Sequence, residues 1–400
     1  MLKNVIFCSK LYIRIQKSKR YKIVAKGAMK MIYRNTWAEI NLAAIGHNIR
    51  QLKNVLPENH RVMSVIKADG YGHGSVEVAK VAMEEGIDYL VVALLEEAIV
   101  LREANIDVPI LVIGRVEPQY ASVAASYQIT LTVYDLEWIQ AVQEKNLTEK
   151  LAIHLEFETG MNRTGIQTLE QMKDIVDAVK RSEQVHITGA YMHFATADDI
   201  GTVQYEEQKQ RYEYMLQKLA EYYPHPIITH IGNSAAGIQY PEDMLQYTRF
   251  GVATYGLYPS KAVHTLEAVQ LQQAFSLYSE LMHVKKIRPG DCVSYGATYC
   301  AEEEEWVGTI PIGYADGWSR KLQGFYVLIE GKQMPIIGRI CMDSMMVKLD
   351  KPYEVGKRVT LIGQDQDEAI QMDDIADYLE TINYEIPCML TSRIPRVYVS

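Results

Sequence analysis

The sequence predicts an α/β protein, a (β/α)8 TIM-like barrel followed by a C-terminal, mostly-β domain. From residue 36 to about residue 272, eight apolar runs of strand length alternate with amphipathic helical stretches, which is the order typical of such a barrel. After residue 270 the pattern changes to short strands joined by Gly, Pro and Asp turns. A chain of 400 residues also suits two domains better than one. We therefore expect a barrel over residues 31–272 and a β domain over residues 273–400.

The predicted barrel strands are short apolar runs bounded by helical stretches. They span residues 62–67, 89–94, 109–114, 130–134, 152–157, 187–193, 227–232 and 249–255. The helical stretches include residues 75–85, 96–104, 169–181 and 205–222. Most candidate functional residues of the barrel fall at or just after the carboxyl end of a strand, where such barrels keep their active sites. Arg249, at the start of its run, is the exception.

The predicted β domain contains short strands and a single helix. The strands span residues 276–286, 306–312, 325–329, 335–340, 345–349 and 358–362, and the helix spans residues 372–380. The sequence shows no internal repeat and no low-complexity linker between the two parts. The change of pattern alone therefore sets the predicted boundary.

Residues 1–30 differ in composition from the rest of the chain. They hold nine Lys or Arg and no Asp or Glu, whereas the whole chain has a net charge of −9. A basic targeting peptide is one interpretation. We favour another, in which this basic N-terminal extension is translated upstream sequence outside the fold and the native start is Met31. The N-terminal mass of natively expressed protein would decide between them.

The composition excludes several classes of protein. The acidic net charge of −9 argues against nucleic acid as a partner. No apolar run approaches the roughly 20 residues that a membrane-spanning helix needs. The five cysteines are odd in number and lack C-x-x-C spacing, which fits a reducing cytoplasm better than a disulfide scaffold or a zinc site. We expect a cytoplasmic protein with no metal site.

One stretch, VIKADGYGHG at residues 65–74, carries the strongest chemical signal. Lys67 ends a buried strand, and an apolar floor lowers the pKa of an ammonium and frees its lone pair. A Schiff-base lysine needs that environment. The glycines allow a tight turn that brings N–H groups near an anion, and Tyr71 adds a hydroxyl donor. An ordinary turn whose lysine extends into solvent is the alternative that these residues alone leave open.

This stretch closely resembles the pyridoxal 5'-phosphate (PLP) attachment motif of bacterial alanine racemases. The resemblance covers residues 36–397 and recurs, in the family's order, at well-separated motifs. These are GMNR at 160–163, HFATAD at 193–198, NSAA at 233–236, RFG at 249–251, VSYGATY at 293–299, GYADGW at 313–318, CMD at 341–343 and INY at 382–384.

The resemblance implies that Lys67 attaches PLP and that a set of hydroxyl and backbone donors holds its phosphate. The implied phosphate ligands are Tyr71, Ser234, the backbone of Gly251 and Val252, and Tyr384. Hydroxyls and N–H groups at a barrel mouth suit this role, and a helix beginning at Ser234 would favour an anion through its dipole. Ser234 taken alone would more often be a plain helix cap.

Arg249 is implied to lie against the pyridine nitrogen of the cofactor. A guanidinium keeps its proton at working pH, so it donates a hydrogen bond to the nitrogen but does not protonate it. The ring is then a weaker electron sink, which favours racemisation over transamination or decarboxylation. His193 is implied to stack on the ring or to connect Tyr295 to this network, and His230 to bond Arg249. Either histidine alone is more often a buried structural residue.

Racemisation requires a base on each face of the substrate's α-carbon, unless one base or the substrate moves. By resemblance Lys67 is one base and Tyr295 is the other. In the family this tyrosine reaches the active site of the other subunit, as does the segment containing Met342, so the resemblance implies a head-to-tail homodimer. Arg163 would bond the cofactor's phenolic oxygen and the substrate carboxylate. Met342 and Tyr314 would bound a pocket small enough to favour alanine.

Glu156 departs from the family pattern. Many relatives carry a carbamylated lysine there, which presents a carboxylate to the arginine that corresponds to Arg163. We expect Glu156 to replace the carbamate and to orient Arg163 by a charge-assisted hydrogen bond. Activity should then not depend on bicarbonate, and E156K should introduce that dependence. A glutamate facing solvent at a strand end is the alternative.

The resemblance thus implies an alanine racemase that interconverts L- and D-alanine and supplies D-alanine for peptidoglycan. A racemase for serine or a broader range of amino acids on the same scaffold is the first alternative. A decarboxylase of this fold would place an acid, not Arg249, against the pyridine. A non-catalytic PLP carrier built on this barrel would lack the β domain that supplies Tyr295.

Overall fold

The computed structural model describes residues 22–25, 28–31, 33–145 and 147–400. Two short strands, β1 (Lys22–Ala25) and β2 (Ala28–Met31), pair with each other in an antiparallel sheet of their own. The other residues of the predicted N-terminal extension lie outside the described part of the chain. In the part that is described, no helix is both long enough and apolar enough to span a membrane.

The chain then forms a strand, β3 (Thr36–Asn41), and a helix, α1 (Leu42–Asn54). The side chain of Asn41 caps α1 by accepting a hydrogen bond from the Ala44 N–H at 3.0 Å. The strand does not join the barrel that follows α1. It pairs instead with two strands of the C-terminal domain.

A closed parallel barrel of eight strands follows, as the sequence predicts. The strands are β4 (Arg61–Val65), β5 (Leu90–Val92), β6 (Ile110–Val112), β7 (Thr130–Val133), β8 (Leu151–Glu156), β9 (Val185–Tyr191), β10 (Ile228–His230) and β11 (Tyr247–Phe250). Neighbouring strands pair in sequence order, and the barrel closes where β11 pairs with β4 in parallel register. Each predicted run therefore contributes one strand, and their carboxyl ends face the same opening.

Helices follow the barrel strands. They are α2 (Lys67–Tyr71), α3 (Ser75–Glu84), α4 (Leu95–Glu103), α5 (Ala121–Ser126), α6 (Leu136–Gln143), α7 (Leu169–Lys180), α8 (Val203–Tyr222), α9 (Ser234–Gln239) and α10 (Lys261–Thr265). Short 3₁₀ helices lie at Pro118–Tyr120, Pro241–Asp243 and Val252–Tyr255. The strand residues bury both faces, because one face packs inside the barrel and the other against these helices.

The inside of the barrel has its own apolar cluster, separate from the core beneath the helices. Met63, Val91 and Leu111 belong to it and are fully buried. These residues form the floor under the barrel mouth. Truncation of Leu111 to alanine removes buried methyl groups and should cost about 2–5 kcal/mol of the free energy of unfolding. The apolar floor is therefore part of what holds the barrel closed.

The remaining residues form a mostly-β domain. Its strands are β12 (Phe275–Glu280), β13 (His283–Ile287), β14 (Cys292–Val293), β15 (Tyr299–Cys300), β16 (Glu305–Ile310), β17 (Tyr326–Ile329), β18 (Lys332–Ile337), β19 (Met345–Leu349), β20 (Arg358–Asp365), β21 (Glu368–Ile370) and β22 (Arg396–Val399). Two helices, α11 (Met372–Leu379) and α12 (Glu385–Met389), and 3₁₀ helices at Tyr295–Ala297, Tyr314–Asp316 and Arg320–Leu322 complete it. The predicted single strand 276–286 is two strands, β12 and β13.

The large sheet of this domain includes β3 from the start of the fold. Its order is β13-β16-β19-β18-β17-β20-β12-β3-β22, with β21 paired to β20. β3 is antiparallel to β12 and parallel to β22. The predicted barrel range 31–272 therefore includes one strand, Thr36–Asn41, that belongs to the second sheet. The sequence analysis predicted no strand at these residues, and sequence alone did not show which sheet they join.

The cysteine prediction was wrong for one pair, because Cys292 and Cys300 form a disulfide. They lie directly opposite each other in the antiparallel pair β14–β15, with Cα atoms 4.0 Å apart. The spacing gave no sign of this contact, since it depends on a hairpin turn between the two strands. Cys341 and Cys388 are free thiols.

Candidate active site

A cavity of about 580 Å³ opens at the carboxyl ends of the barrel strands. The predicted functional residues that line it are Lys67, Tyr71, Glu156, Arg163, His193, Ser234, Arg249, Gly251, Val252 and Tyr384. His230 lies behind Arg249, and Tyr295, Tyr314 and Met342 do not line the cavity of their own chain. The structure thus brings the barrel residues of the predicted site and Tyr384 of the β domain together in one place.

Lys67 lies just beyond β4, which ends at Val65. The observed strand therefore ends two residues before the predicted strand 62–67. The side chain is half-buried, and its ammonium lies 6.0 Å from the centre of the Tyr71 ring. Burial and the positive charge of Arg163 lower the pKa of Lys67. A lowered pKa leaves more of the amine unprotonated near neutral pH, which makes it a better nucleophile and base.

The residues after Lys67 form a left-handed turn. Ala68, Asp69, Gly70 and Tyr71 have φ angles of 52°, 52°, 61° and 51°. Non-glycine residues pay about 1–2 kcal/mol each for this conformation, so neighbouring contacts must hold it. The Nδ1 of His73 donates to the carbonyls of Gly70 and Tyr71 at 3.1 and 2.9 Å. The turn places Lys67 and Tyr71 on the same cavity wall.

A cradle for an anion lies opposite, where β10 and β11 end. The Ser234 hydroxyl accepts a hydrogen bond from the Gly251 N–H at 2.9 Å. A Cβ atom on Gly251 would lie only 2.7 Å from the Tyr71 hydroxyl, so glycine is required for that approach. Asn233, not Ser234, caps α9, because its side chain accepts from the Ala236 N–H at 2.9 Å. The Ser234 hydroxyl is therefore not used as a helix cap.

Tyr71 and Tyr384 meet in this cradle, with ring centres 6.5 Å apart. Burial raises the pKa of Tyr71 and of Tyr384 above the ordinary value. Both hydroxyls therefore stay protonated at neutral pH and can donate hydrogen bonds to an anion. Ser234 and these two tyrosines form a set of neutral donors suited to a phosphate.

Arg249 is buried in β11 and its side chain forms part of the cavity wall. The sequence analysis placed Arg249 at the start of its strand, whereas in the structure it is the third residue of β11. Its guanidinium donates to the carbonyls of Met192 and Ile231 at 2.7 and 3.2 Å. Within residues 33–145 and 147–400 it makes no ion pair with a carboxylate. It therefore presents an unneutralised, permanently protonated donor to the cavity.

Neutral histidines surround this guanidinium. Arg249 donates to the Nδ1 of His230 at 2.9 Å, so the proton of His230 lies on Nε2 and is donated to the Nδ1 of His154 at 2.9 Å. Arg249 also donates to the Nδ1 of His193 at 3.3 Å. Burial and the charge of Arg249 lower the pKa of His154 and of His193 to about 3, and that of His230 well below its ordinary value. The histidines orient Arg249 without changing its charge.

Glu156 lies at the end of β8, buried in the cavity wall. It accepts a hydrogen bond from the Thr164 hydroxyl at 2.9 Å and makes no ion pair with Arg163, so the predicted direct contact is absent. Glutamate is shorter than a carbamylated lysine, and Thr164 takes its carboxylate instead. Burial raises the pKa of Glu156 against the opposing effects of Thr164 and Arg163. Arg163 itself is exposed at the cavity rim.

The remaining predicted residues form one exposed surface on the β domain. We call Tyr295, Tyr314 and Met342 the β-domain patch; their exposed fractions are 71%, 42% and 52%. The Tyr314 N–H donates to the Cys341 carbonyl at 3.0 Å. Ser294, beside Tyr295, contacts the Cys341 sulfur at 3.4 Å. These contacts join the segments into a single surface.

Several cavity residues were missed by sequence reasoning. They include Asn233, Tyr191, Ile113, Glu385 and Cys388. Asn233 belongs to the NSAA motif, so its position next to Ser234 was an available signal. Cys388 and Glu385 come from α12, a helix that the sequence did not predict. The others are ordinary apolar or aromatic strand-end residues, which carry no distinct signal.

The residues at this site fit PLP. The cradle that only a glycine at residue 251 leaves open suits a phosphate, and the donors around it carry no competing negative charge. Lys67 has the lowered pKa that capture of an aldehyde needs. Arg249 offers a donor to a ring nitrogen. The site can therefore hold a phosphorylated aldehyde and act on an amine substrate.

Family models match both parts of the chain. The model described as "Alanine racemase, N-terminal domain" matches residues 40–259, and the one described as "Alanine racemase, C-terminal domain" matches residues 274–398. The gap between the two matches contains the predicted boundary at residue 272.

Individual proteins and solved structures are similar to this chain over most of its length. An alanine racemase of Geobacillus stearothermophilus is 46% identical over 371 residues, which cover 92% of this chain and 95% of that protein. A crystal structure of alanine racemase from Bacillus anthracis with bound L-Ala-P has a TM-score of 0.90 at 39% identity, covering 92% of this chain and 96% of the other. A histidine racemase from Leuconostoc mesenteroides has a TM-score of 0.83 at 28% identity, covering 92% and 99% of the two chains.

Proposed function

The chain belongs to the alanine racemase family, whose reaction is the interconversion of L- and D-alanine, and we propose that it performs this reaction with PLP, Lys67 and Tyr295 of the partner subunit. The observation that carries the proposal is the convergence of Lys67, the anion cradle and Arg249 on one cavity.

The barrel, together with Tyr384 of the β domain, would bind the cofactor. Lys67 would attach it through its amine, and the hydroxyls of Tyr71, Ser234 and Tyr384 would hold the phosphate together with the backbone of Gly251 and Val252. Ser234 already accepts a hydrogen bond from the Gly251 N–H, so its own hydroxyl proton is free to be donated. His193, which accepts a hydrogen bond from Arg249, would lie beside the cofactor ring.

Arg249 controls which reaction follows. PLP, when bound, would supply an electrophilic carbon that exchanges the amine of Lys67 for that of the substrate, which frees Lys67, and a ring that withdraws electrons from the substrate's α-carbon. Arg249, held in place by His230, would donate to the ring nitrogen and keep its own proton. The electron withdrawal is then weaker than with an acid at this position. The weaker withdrawal favours rapid return of a proton to the α-carbon over transamination or decarboxylation.

Proton movement requires a group on each side of the α-carbon. The amine of Lys67 takes or returns the proton on one face, aided by its lowered pKa. The hydroxyl of Tyr295 of the partner subunit does so on the other face. Arg163, at the rim, binds the substrate carboxylate. Glu156 supports this wall of the cavity through Thr164 rather than by direct contact with Arg163.

A head-to-tail homodimer completes this site. The cavity of one chain contains Lys67 but no residue of the β-domain patch, whose Tyr295 is 71% exposed. A second copy that presents its patch to this cavity supplies the missing base, and the reciprocal contact completes the second site. Met342 and Tyr314 of the patch then limit the space for the substrate side chain, which favours alanine.

Circular dichroism of L-alanine tests the reaction directly. Purified protein with PLP should bring the alanine signal fully to zero, because racemisation has an equilibrium constant of one by symmetry. L-serine and L-histidine serve as controls, since a histidine racemase shares this fold. Loss of the serine or histidine signal would indicate a broad racemase. A bound cofactor without any loss of signal would contradict the proposal and favour a PLP carrier.

Mixed dimers test the composite site. K67A and Y295F chains, each inactive alone, are coexpressed and the mixed dimer is assayed. If Tyr295 acts across the interface, one of the two sites in each mixed dimer is intact, so a random mixture recovers about a quarter of wild-type activity. If Tyr295 acts within its own chain, every site lacks one base and no activity returns.

A further inference from the structure

Glu97, a residue that the proposed mechanism does not use, contacts the backbone next to Lys67. Its Oε1 accepts a hydrogen bond from the Ala68 N–H at 2.6 Å. Its Oε2 accepts from the N–H groups of Ala93 and Leu94 at 2.9 and 3.1 Å. One carboxylate therefore connects the turn after β4 to the loop after β5.

The Ala68 contact lies where the left-handed turn begins. Ala68 has φ 52°, a conformation that L side chains rarely adopt, so contacts from neighbouring residues must hold it. At the far end of the turn, His73 and Arg396 hold the carbonyls of Tyr71 and Gly72 at 2.9 and 3.0 Å. Glu97 is the side chain that holds the end nearest Lys67.

Helix capping accounts for only part of this arrangement. Glu97 is the third residue of α4, and its Oε2 caps that helix by bonding the Leu94 N–H. Another helix offers a comparison, because Gln171 of α7 accepts from the N–H groups of Gln167 and Thr168 at 2.9 and 3.2 Å and, among the residues that the structure describes, reaches no second loop. Capping does not need the Oε1 contact to Ala68.

We propose that Glu97 is a positioning residue for Lys67, fixing the start of the left-handed turn and placing a negative charge near the lysine amine. It does not line the cavity, so it acts through Ala68 and through its charge rather than by touching cofactor or substrate. This proposal rests on the role of Lys67 in the proposed function.

The charges around Lys67 set the sign of the expected effect. Burial, Arg163 and Arg249 lower the pKa of Lys67, whereas Glu97 and Cys388 raise it. Loss of the Glu97 charge removes stabilisation of the ammonium, so the pKa of Lys67 should fall further. The amine is then free at a lower pH.

The test measures how fast cofactor-free enzyme captures PLP as a function of pH, followed by the visible absorbance that accompanies attachment to lysine. E97Q loses the charge, so the midpoint of its profile should move down by roughly half a pH unit, a modest shift because Glu97 is partly exposed. E97D keeps the charge but is shorter by one methylene and cannot span both loops. Its midpoint should stay near wild type while its plateau rate falls about tenfold.

Matched controls separate positioning from capping and from surface charge. E96Q removes a neighbouring exposed carboxylate of α4, and Q171A removes the comparable cap of α7. Both should retain the wild-type midpoint and plateau. The proposal is overturned if E97Q and E97D match wild type, or if Q171A reproduces their effects. Failure of the proposed function is distinguishable, because K67A would then capture PLP as wild type does.

Discussion

Lys67 and Tyr295, the two residues proposed to move protons, lie in opposite surroundings. Lys67 is half-buried at the mouth of the barrel, on a turn held by contacts from Glu97, His73 and Arg396. Tyr295 is 71% exposed at the tip of a hairpin whose strands have two residues each. One base is built into the fold, whereas the other is presented at the surface.

This difference indicates that the two domains have different roles in the proposed reaction. A base that must also hold the cofactor needs a fixed position and a lowered pKa, and both come from burial within one chain. A base on the opposite face of the substrate must leave room for substrate to enter. An exposed residue that is buried only when a second copy docks satisfies that requirement. In the proposed homodimer the barrel site would be pre-organised within one chain, and the β-domain patch would be buried only on assembly.

The largest loss of activity should come from replacing Lys67, the base in the barrel. K67A removes both the cofactor attachment and one base, so kcat should fall by at least about 10⁴-fold. Polarimetry of alanine and the visible absorbance of the protein measure the two losses together. Retention of the absorbance in K67A would show that another residue attaches the cofactor.

Y295F should separate the two bases. We expect kcat to fall by about 10²- to 10⁴-fold, while the affinity for PLP stays at the wild-type value. Because Lys67 remains, one enantiomer of alanine should still exchange its α-hydrogen with deuterated water without racemising, as mass spectrometry would detect. Exchange lost equally for both enantiomers would mean that the two residues do not act on separate faces.

A change in the anion cradle should affect cofactor affinity and leave the β-domain patch untouched. S234A removes a hydroxyl donor and the acceptor for the Gly251 N–H, a loss of about 1.5–3 kcal/mol for a hydrogen bond to a charged group. Titration of cofactor-free protein with PLP should therefore show a dissociation constant raised by at least about tenfold. The kcat at saturating PLP should change little. An unchanged dissociation constant would remove Ser234 from the phosphate site.

The smallest effect should come from the disulfide on the hairpin of Tyr295. The Cys292–Cys300 bond closes strands too short to be stable alone. The double variant C292S/C300S should lower kcat about fivefold through a less fixed tyrosine, with unchanged affinity for PLP. A small phosphine reductant should have the same effect on wild type and none on the double variant. Equal kcat for all forms would show that the patch is held without the bond.

Much of the barrel was predictable because its signal is local. Eight apolar runs between amphipathic helices define eight strands, and the structure confirms them. The place of β3 was not predictable, since a strand's own residues do not say which sheet it joins. The left-handed turn was hidden for a similar reason: Ala68, Asp69 and Tyr71 are not glycine, and contacts from distant elements hold them there.

In the candidate site, too, some features could be predicted from the sequence and others could not. Residues that follow strand ends, such as Lys67 and Ser234, could be placed at one mouth from topology alone. The absence of a direct contact between Glu156 and Arg163 could not be predicted, because it depends on side-chain length and on competition from Thr164. The disulfide depended on a hairpin register that spacing does not reveal. E156K stays a test of whether a carbamylated lysine can replace this glutamate.

The position of β3 determines how the two domains would behave after a protease cut between them. Because β3 lies between β12 and β22, the barrel is an insertion into the β sheet rather than a module placed before it. A protease cut between residues 272 and 273 would leave two fragments that share one sheet. Such fragments should remain joined and should reassemble when produced separately, whereas neither should fold well alone.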